Sequence, residues 1–395
     1  MLHANLTLLG LLLFVAAIVA IATRRLQVPY SVGLVCAGIV LAFVPLTLTL
    51  PLSRDLIFEV FLPPIVFEAA LNIHWRDLRR NFPVVATLSS AGVIIAAAVA
   101  TAGMHFLAGW SWAVAALFGT LIAATDPVSV IATFKSVNID PRLHLLVESD
   151  SLLNDGTAAV AFAVVLAVVA GASSGIVAVG GSLIWMILGG ATIGAIAALV
   201  LLMIAGRTDD SLVELTLTTL IAYGSFLIAD RLGMSGVLAT LTAGLIVGNS
   251  SELGSISERG RASVFNYWAY LAFLANSLIF LLLGAQVALQ PFLDVLWPAA
   301  VAIVVVLAGR AIAIYPLSVL FLRTRLRIDI RHQHILVWGG LRGALALGLA
   351  LGLPDELPGR AAVITVAFAV VAFSIFVQGL TMTPLLRRLG LIRAN

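Results

Sequence analysis

Thirteen stretches of this chain are apolar over most of their length, at about 5–23, 28–48, 54–72, 83–107, 112–133, 143–170, 176–204, 211–229, 233–248, 264–288, 297–321, 334–352 and 361–380. That is the scale needed to cross roughly 30 Å of hydrocarbon as a helix. Composition agrees, with 62% hydrophobic and 10% charged residues, where soluble domains carry about 25% charged. A spanning segment must satisfy its backbone internally, which a helix does. The chain is therefore expected to be an all-α polytopic membrane protein. We expect about 13 transmembrane helices in a single integral domain over residues 1–395.

Arginine placement predicts the orientation, because basic residues are retained on the cytoplasmic side. One set of alternate loops holds Arg24, Arg25, Arg76, Arg79, Arg80, Lys135, Arg142, Arg207, Arg259, Arg261, Arg323, Arg325, Arg327, Arg331, Arg387, Arg388 and Arg393. The opposite set holds Arg54, Arg231 and Arg360, and Arg310 and Arg342 fall inside spans. The N-terminus is then outside and the C-terminus inside. The basic pI reflects this topology. It does not reflect a nucleic-acid surface, which would cluster basic and aromatic residues on a soluble domain. A single cysteine, Cys36, excludes an intramolecular disulfide, and it reads as a small packing residue in the second span. No phosphate-binding motif follows a strand, so energy is expected to come from a gradient, without a bound cofactor. The last span ends close to the C-terminus, and no soluble regulatory domain is expected there.

Two polar clusters interrupt segments otherwise suited to lipid. One is Thr125-Asp126-Pro127, in the fifth stretch; the other is Asp150-Ser151-Leu152-Leu153-Asn154-Asp155-Gly156, in the sixth. Ionisable groups at membrane depth are costly and mark ion or proton pathways. On a helix, Asp150, Ser151, Asn154 and Asp155 fall within an arc of about 140°, with Leu152 and Leu153 away from it. Glu148 continues the stripe toward the cytoplasm. These oxygens suit a hard monovalent cation and supply none of the soft ligands of a transition metal. Interhelical hydrogen bonding is the competing role for Asn154 and Ser151. It fits Asp155 poorly, since an isolated carboxylate is expensive glue. Pro127 removes a backbone donor and breaks the helix, freeing carbonyls and exposing helix ends that carry partial charge.

Charge balance involves more distant residues. Arg310 and Arg342 need anionic partners, and Glu68 and Asp126 are available. A structural ion pair between Glu68 and one of these arginines is expected. Gly339, Gly340 and Gly343 surround Arg342 and allow that helix to unwind, whereas Gly189, Gly190 and Gly194 suit close helix packing. Glu214 and Asp230 are expected to reach headgroups or water, and His144 and His332 are the candidates for a pH sensor.

The motifs Phe61–Leu71 (FLPPIVFEAAL), Ala124–Pro127 (ATDP), Ser151–Gly156 (SLLNDG), Gly309-Arg310 and Gly339–Leu351 (GGLRGALALGLAL) occur in order across most of the chain. With them the chain resembles the monovalent cation:proton antiporters of the NhaP and NHE type. The resemblance implies two inverted repeats with crossing unwound helices, a dimerisation domain, a mobile core domain and a homodimer. It implies that Asp155 binds either cation or proton, and that Asn154 is its neutral partner, held by Glu68 and an intramembrane arginine. Thr125 and Ser151 would complete the Na⁺ shell, and Asp126 would stabilise the crossing. Asp150 stands where most relatives have Glu, which puts its reach to the ion in question. A compact prokaryotic inner-membrane protein is implied.

Burial disfavours a bare carboxylate, and either a proton or a cation relieves it. Competition for Asp155 then couples the two fluxes. With Asn154 beside it in place of a second aspartate, the sequence predicts one-for-one, electroneutral exchange of Na⁺, Li⁺ or K⁺ for H⁺. A passive cation channel or uniporter is the alternative. An intramembrane aspartyl hydrolase lacks its motif.

Overall fold

In the computed structural model, the structure describes residues 2–26, 28–43, 52–137, 139–171, 176–205, 210–250 and 258–392. Arg207 and Arg393, and the side chains of Lys135 and Arg259, lie outside the described residues. In chain order the helices are α1 (Leu2–Leu26), α2 (Tyr30–Ala42), α3 (Leu62–Asn72, after a π-helical turn at Leu56–Phe61), α4 (Trp75–Thr87) and α5 (Val93–Ala108). Next come α6 (Trp112–Leu121), α7 (Val128–Ser136), α8 (Pro141–Val169), α9 (Ile176–Ala205), α10 (Ser211–Arg231), α11 (Gly236–Gly248) and α12 (Glu258–Ala288). The last are α13 (Leu296–Val319), α14 (Ile330–Trp338), α15 (Ala344–Leu351), α16 (Arg360–Phe373) and α17 (Leu380–Arg388). No strand occurs among the described residues.

Every one of the thirteen apolar stretches contains helix. Among the described residues, eight helical segments are long and apolar enough to cross a membrane, including Trp75–Ala108, which joins α4 to α5, and Arg360–Arg388, which joins α16 to α17. The fifth and twelfth stretches are instead pairs of half-helices, α6/α7 and α14/α15.

The helices pack as two groups. In one, α2 lies on α12, and α11 lies on α3, α9 and α10. In the other, α5 lies on α6 and α13, and α8 on α4 and α6. Small residues set the spacing, as expected where dispersion and close approach must replace the hydrophobic effect. A Cβ on Gly38 of α2 would come within 2.1 Å of the Leu281 carbonyl oxygen, and one on Gly284 of α12 within 2.2 Å of the Val35 carbonyl oxygen. Gly190 and Gly194 press closely on Ser235, the residue that caps α11, and on Ala239 within it.

Two expectations are corrected. Cys36 is exposed on α2 and packs against no core. Glu214 is only 1% exposed and does not reach headgroups or water. It occupies the first turn of α10, where the helix N-terminus favours a negative charge even away from solvent.

Candidate ion-binding site

The two broken helices cross at their breaks. Helix α6 ends at Leu121 and α7 starts at Val128; α14 ends at Trp338 and α15 starts at Ala344. The Asp126 amide donates to the Leu341 carbonyl at 2.8 Å, tying one break to the other. Three of the four helix ends exposed there meet a complementary charge. Arg342 Nη1 donates to the Ala123 and Ala124 carbonyls, both at 2.8 Å, just past the C-terminal end of α6. At the start of α7, Asp126 Oδ1 accepts from the Val128 amide at 2.9 Å. Arg310 Nε donates to the Leu336 carbonyl at 3.2 Å, near the end of α14.

The glycines around Arg342 make this crossing possible. A Cβ on Gly343 would sit 2.0 Å from Asp126 Oδ2, and one on Gly340 would sit 2.9 Å from Arg310 Nε. Two residues outside the sequence motifs complete the second break. The Ser374 hydroxyl accepts from the Arg342 amide at 3.1 Å, and Gln378 Nε2 donates to the Trp338 carbonyl at 2.8 Å. Their only signal in the sequence is polarity inside an otherwise apolar final stretch, FSIFVQG.

The polar arc of α8 is divided between two neighbours. At one edge Asp150, 1% exposed, forms a buried ion pair with Arg310 of α13. At the other edge Glu148, Leu152 and Asp155, at helical spacing, line a cavity of about 280 Å³. Asn154 and Ser151 lie between these edges and grip the first break. Asn154 Oδ1 accepts from the Thr125 amide at 3.0 Å, and Asn154 Nδ2 donates to Thr125 Oγ1 at 2.5 Å. The Ser151 and Thr125 hydroxyls are 3.1 Å apart. Of the expected site residues, Asp155, Thr125, Asp126 and Glu68 reach the cavity wall, while Asp150, Ser151, Asn154, Arg310 and Arg342 stand behind it.

One of the two intramembrane arginines expected to pair with Glu68 is already engaged. Arg310 takes Asp150, which α8 presents directly to α13. The hydrogen bonds that Arg342 makes go to backbone carbonyls. Glu68 Oε1 accepts from Asn72 Nδ2 at 2.9 Å, one turn along α3. Asn154 is likewise held by Thr125, where the resemblance had implied Glu68 and an arginine.

Asp155 differs from Asp150 in having no ion pair among the described residues. Its Oδ1 is buried at the cavity with no hydrogen-bond partner among the described residues. Three carboxylates (Asp126, Asp150, Asp155) and two guanidiniums (Arg310, Arg342) meet at the crossing, leaving one formal negative charge. Among the described residues, no group of three or more His, Cys, Asp or Glu could hold a resident metal ion. The donor set is one of oxygens facing a small cavity, suited to transient occupancy by one monovalent cation or one proton.

Comparison with known proteins agrees with this arrangement. Residues 10–388 match the family model described as "Sodium/hydrogen exchanger, transmembrane". The chain is 40% identical over 392 residues to the Na⁺/H⁺ antiporter ApNhaP of Aphanothece halophytica, covering 98% of this chain and 74% of that protein. It is 32% identical over 399 residues to the Na⁺/H⁺ antiporter NhaH of Halobacillus aidingensis, covering 96% and 97% respectively. The solved structure of the sodium proton antiporter MjNhaP1 from Methanocaldococcus jannaschii at pH 8 superposes with a TM-score of 0.78 over 98% of this chain and 99% of that one. At 20% identity that likeness speaks for the fold alone. Motifs, crossing half-helices and relatives converge: this chain is a multi-pass membrane protein that belongs to the sodium/hydrogen exchanger family.

Proposed function

We propose that the chain is a secondary antiporter of the plasma membrane, exchanging Na⁺ for H⁺ one for one, with Asp155 as the group for which the two ions compete. The observation that carries this reading is the contrast along α8. Asp150 already has a fixed cation in Arg310, whereas the buried Oδ1 of Asp155 has no described hydrogen-bond partner beside a cavity. The crossing is one positive charge short of neutral. A proton or a Na⁺ on Asp155 removes that imbalance, and either loaded form crosses the hydrocarbon at far lower cost than the bare carboxylate. Two cargoes that neutralise the same single charge, and never together, are exchanged without net charge movement.

Other residues support the site in this reading. Thr125 lends an oxygen to the cation, and Ser151 and Asn154 hold Thr125 in place. Asp126 and Arg342 compensate the broken helix ends, and the Asp150–Arg310 pair is scaffold. The thirteen stretches span with the N-terminus outside, and the working unit is a homodimer. Li⁺ and K⁺ meet the same oxygens and are separated from Na⁺ by transport competition.

Everted membrane vesicles test the proposal. Added Na⁺ collapses a preformed ΔpH in the wild type and does nothing in Asp155→Asn, and clamping the membrane potential leaves the rate unchanged. A rate that follows the potential would sink the electroneutral stoichiometry. Na⁺ flux without proton counterflow would show a channel instead.

A further inference from the structure

The cavity beside Asp155 has a second wall, and that wall carries one polar group that the ion-binding constellation leaves unused. Helix α12 faces the cavity through Ala269, Ala272, Phe273 and Asn276. This is the i, i+3, i+4, i+7 stripe of a single helix face. Three of the four are apolar, and the fourth is a carboxamide. Asn276 is half-buried and has no hydrogen-bond partner among the described residues. An amide left unpaired in a membrane interior is costly, so what satisfies it must come from the cavity.

Its neighbour shows what a structural polar residue looks like on the same helix. Ser277 is fully buried. Its hydroxyl lies 2.8 Å from Tyr30 Oη and donates to the Phe273 carbonyl at 2.5 Å. The Tyr30 ring also stacks on Phe273, with centroids 5.4 Å apart and planes 8° from parallel. Tyr30 of α2 thus clamps this turn of α12. The clamp fixes the direction in which Asn276 projects while leaving its own amide uncommitted. A preset, unpaired oxygen opposite a carboxylate is a ligand position.

We propose that Asn276 contacts the entering cation from the α12 wall and sets its affinity in the cytoplasm-facing state, a role that rests on the antiport reading given above. The oxygen is hard, like those of Thr125 and Asp155, and can replace a water of a hydrated Na⁺. It carries no charge and binds no proton at physiological pH, so it acts on the cation without competing in the proton half of the cycle. The cavity runs from Asp155 to Glu148, toward the N-terminal end of α8, which the arginine distribution places at the cytoplasm. The contact therefore belongs to the cytoplasm-facing state.

Initial exchange rates measured on the two faces separately test this. Everted vesicles present the cytoplasmic face to added Na⁺, and right-side-out vesicles present the other. Asn276→Ala is expected to raise KM for Na⁺ about three- to tenfold on the cytoplasmic face, as for one lost polar contact. Vmax, its pH profile and the external KM should be unchanged. Asn276→Asp restores an oxygen and adds charge, and is expected to bring the cytoplasmic KM to or below the wild-type value. In the alanine variant, an unchanged KM, an equal shift on both faces, or a fall in Vmax at constant KM would overturn the assignment. If that variant fails to fold, the aspartate variant decides alone, and a cytoplasmic KM above the wild-type value overturns the assignment. Wild-type vesicles that show no Na⁺-dependent proton movement would instead overturn the antiport reading, and that is seen before any variant is compared.

Discussion

Two aspartates five residues apart on α8 have opposite surroundings. Asp150 faces α13 and is locked to Arg310, both almost wholly buried. Asp155 faces the cavity shared with α3 and α12, and no ion pair is described for it. Residue type, helix and depth are nearly the same; the neighbouring helix is what differs. A carboxylate given a fixed countercharge becomes part of the frame, because neither a proton nor a metal ion can outcompete a guanidinium held in place. A carboxylate denied one must take a mobile partner. In the proposed antiport, the difference between scaffold and transport group is set by one arginine on α13, with Gly340 leaving room for its stem.

The comparison is most sharply tested by exchanging charge for amide at each position. Asp155→Asn should abolish Na⁺-driven proton movement while leaving thermal stability in detergent equal to the wild type or higher, since no described ion pair is lost with the charge. Asp150→Asn should do the reverse in kind. Breaking a buried pair from one side strands the other charge and costs about 3–5 kcal/mol, read as a large fall in melting temperature. Pairing Asp150→Asn with Arg310→Gln should recover most of that stability, since the stranded charge is gone. Equal destabilisation by the two single variants would end the distinction between them.

How much of this was legible in the sequence depends on whether the determinant was local. Pro127 and the glycines around Arg342 marked both helix breaks, because helix-breaking chemistry acts on the residue's own backbone. Asp155 was legible because a carboxylate in an apolar stretch has few ordinary uses. The partner of Arg310 was not. Glu68 and Asp150 are equally acidic, and the choice between them is made by how α8 rotates against α13, which periodicity leaves open. The arc of about 140° on α8 correctly gathered the polar residues, but it is wide enough to face two neighbours at once. Asn276 escaped notice for a related reason. One carboxamide in an apolar span reads as helix glue until the cavity beside it is seen, and its neighbour Ser277 is indeed such glue.

A smaller effect is expected where scaffold and site touch. Gly343 lets α15 start directly against Asp126, and a Cβ there would lie 2.0 Å from the Asp126 carboxylate. Gly343→Ala should push that carboxylate off the Val128 amide, at a cost of roughly 1–3 kcal/mol. A lowered melting temperature with a raised KM for Na⁺ is the expected pair of readings. An unaltered KM would detach the crossing from the cation site.

The smallest effect should come from His332, at the loop-side start of α14 and before the twelfth apolar stretch. Burial pushes its imidazole below the ordinary histidine range, Arg142 adds to that, and the nearby Asp140 and Asp329 pull the other way without prevailing. Its change of charge is therefore displaced to lower pH than that of an ordinary histidine, away from Asp155, whose occupancy by a proton is the proposed transport step. The folded state then resists protonation more than the unfolded chain does. The contribution to stability is complete above the unfolded value of about 6.5 and weakens as pH falls below it. His332→Ala should flatten that part of the stability curve and leave the pH profile of exchange where it was. A displaced exchange profile would move the pH response from the membrane carboxylate to the loop-side rim, and the contrast along α8 would no longer account for it.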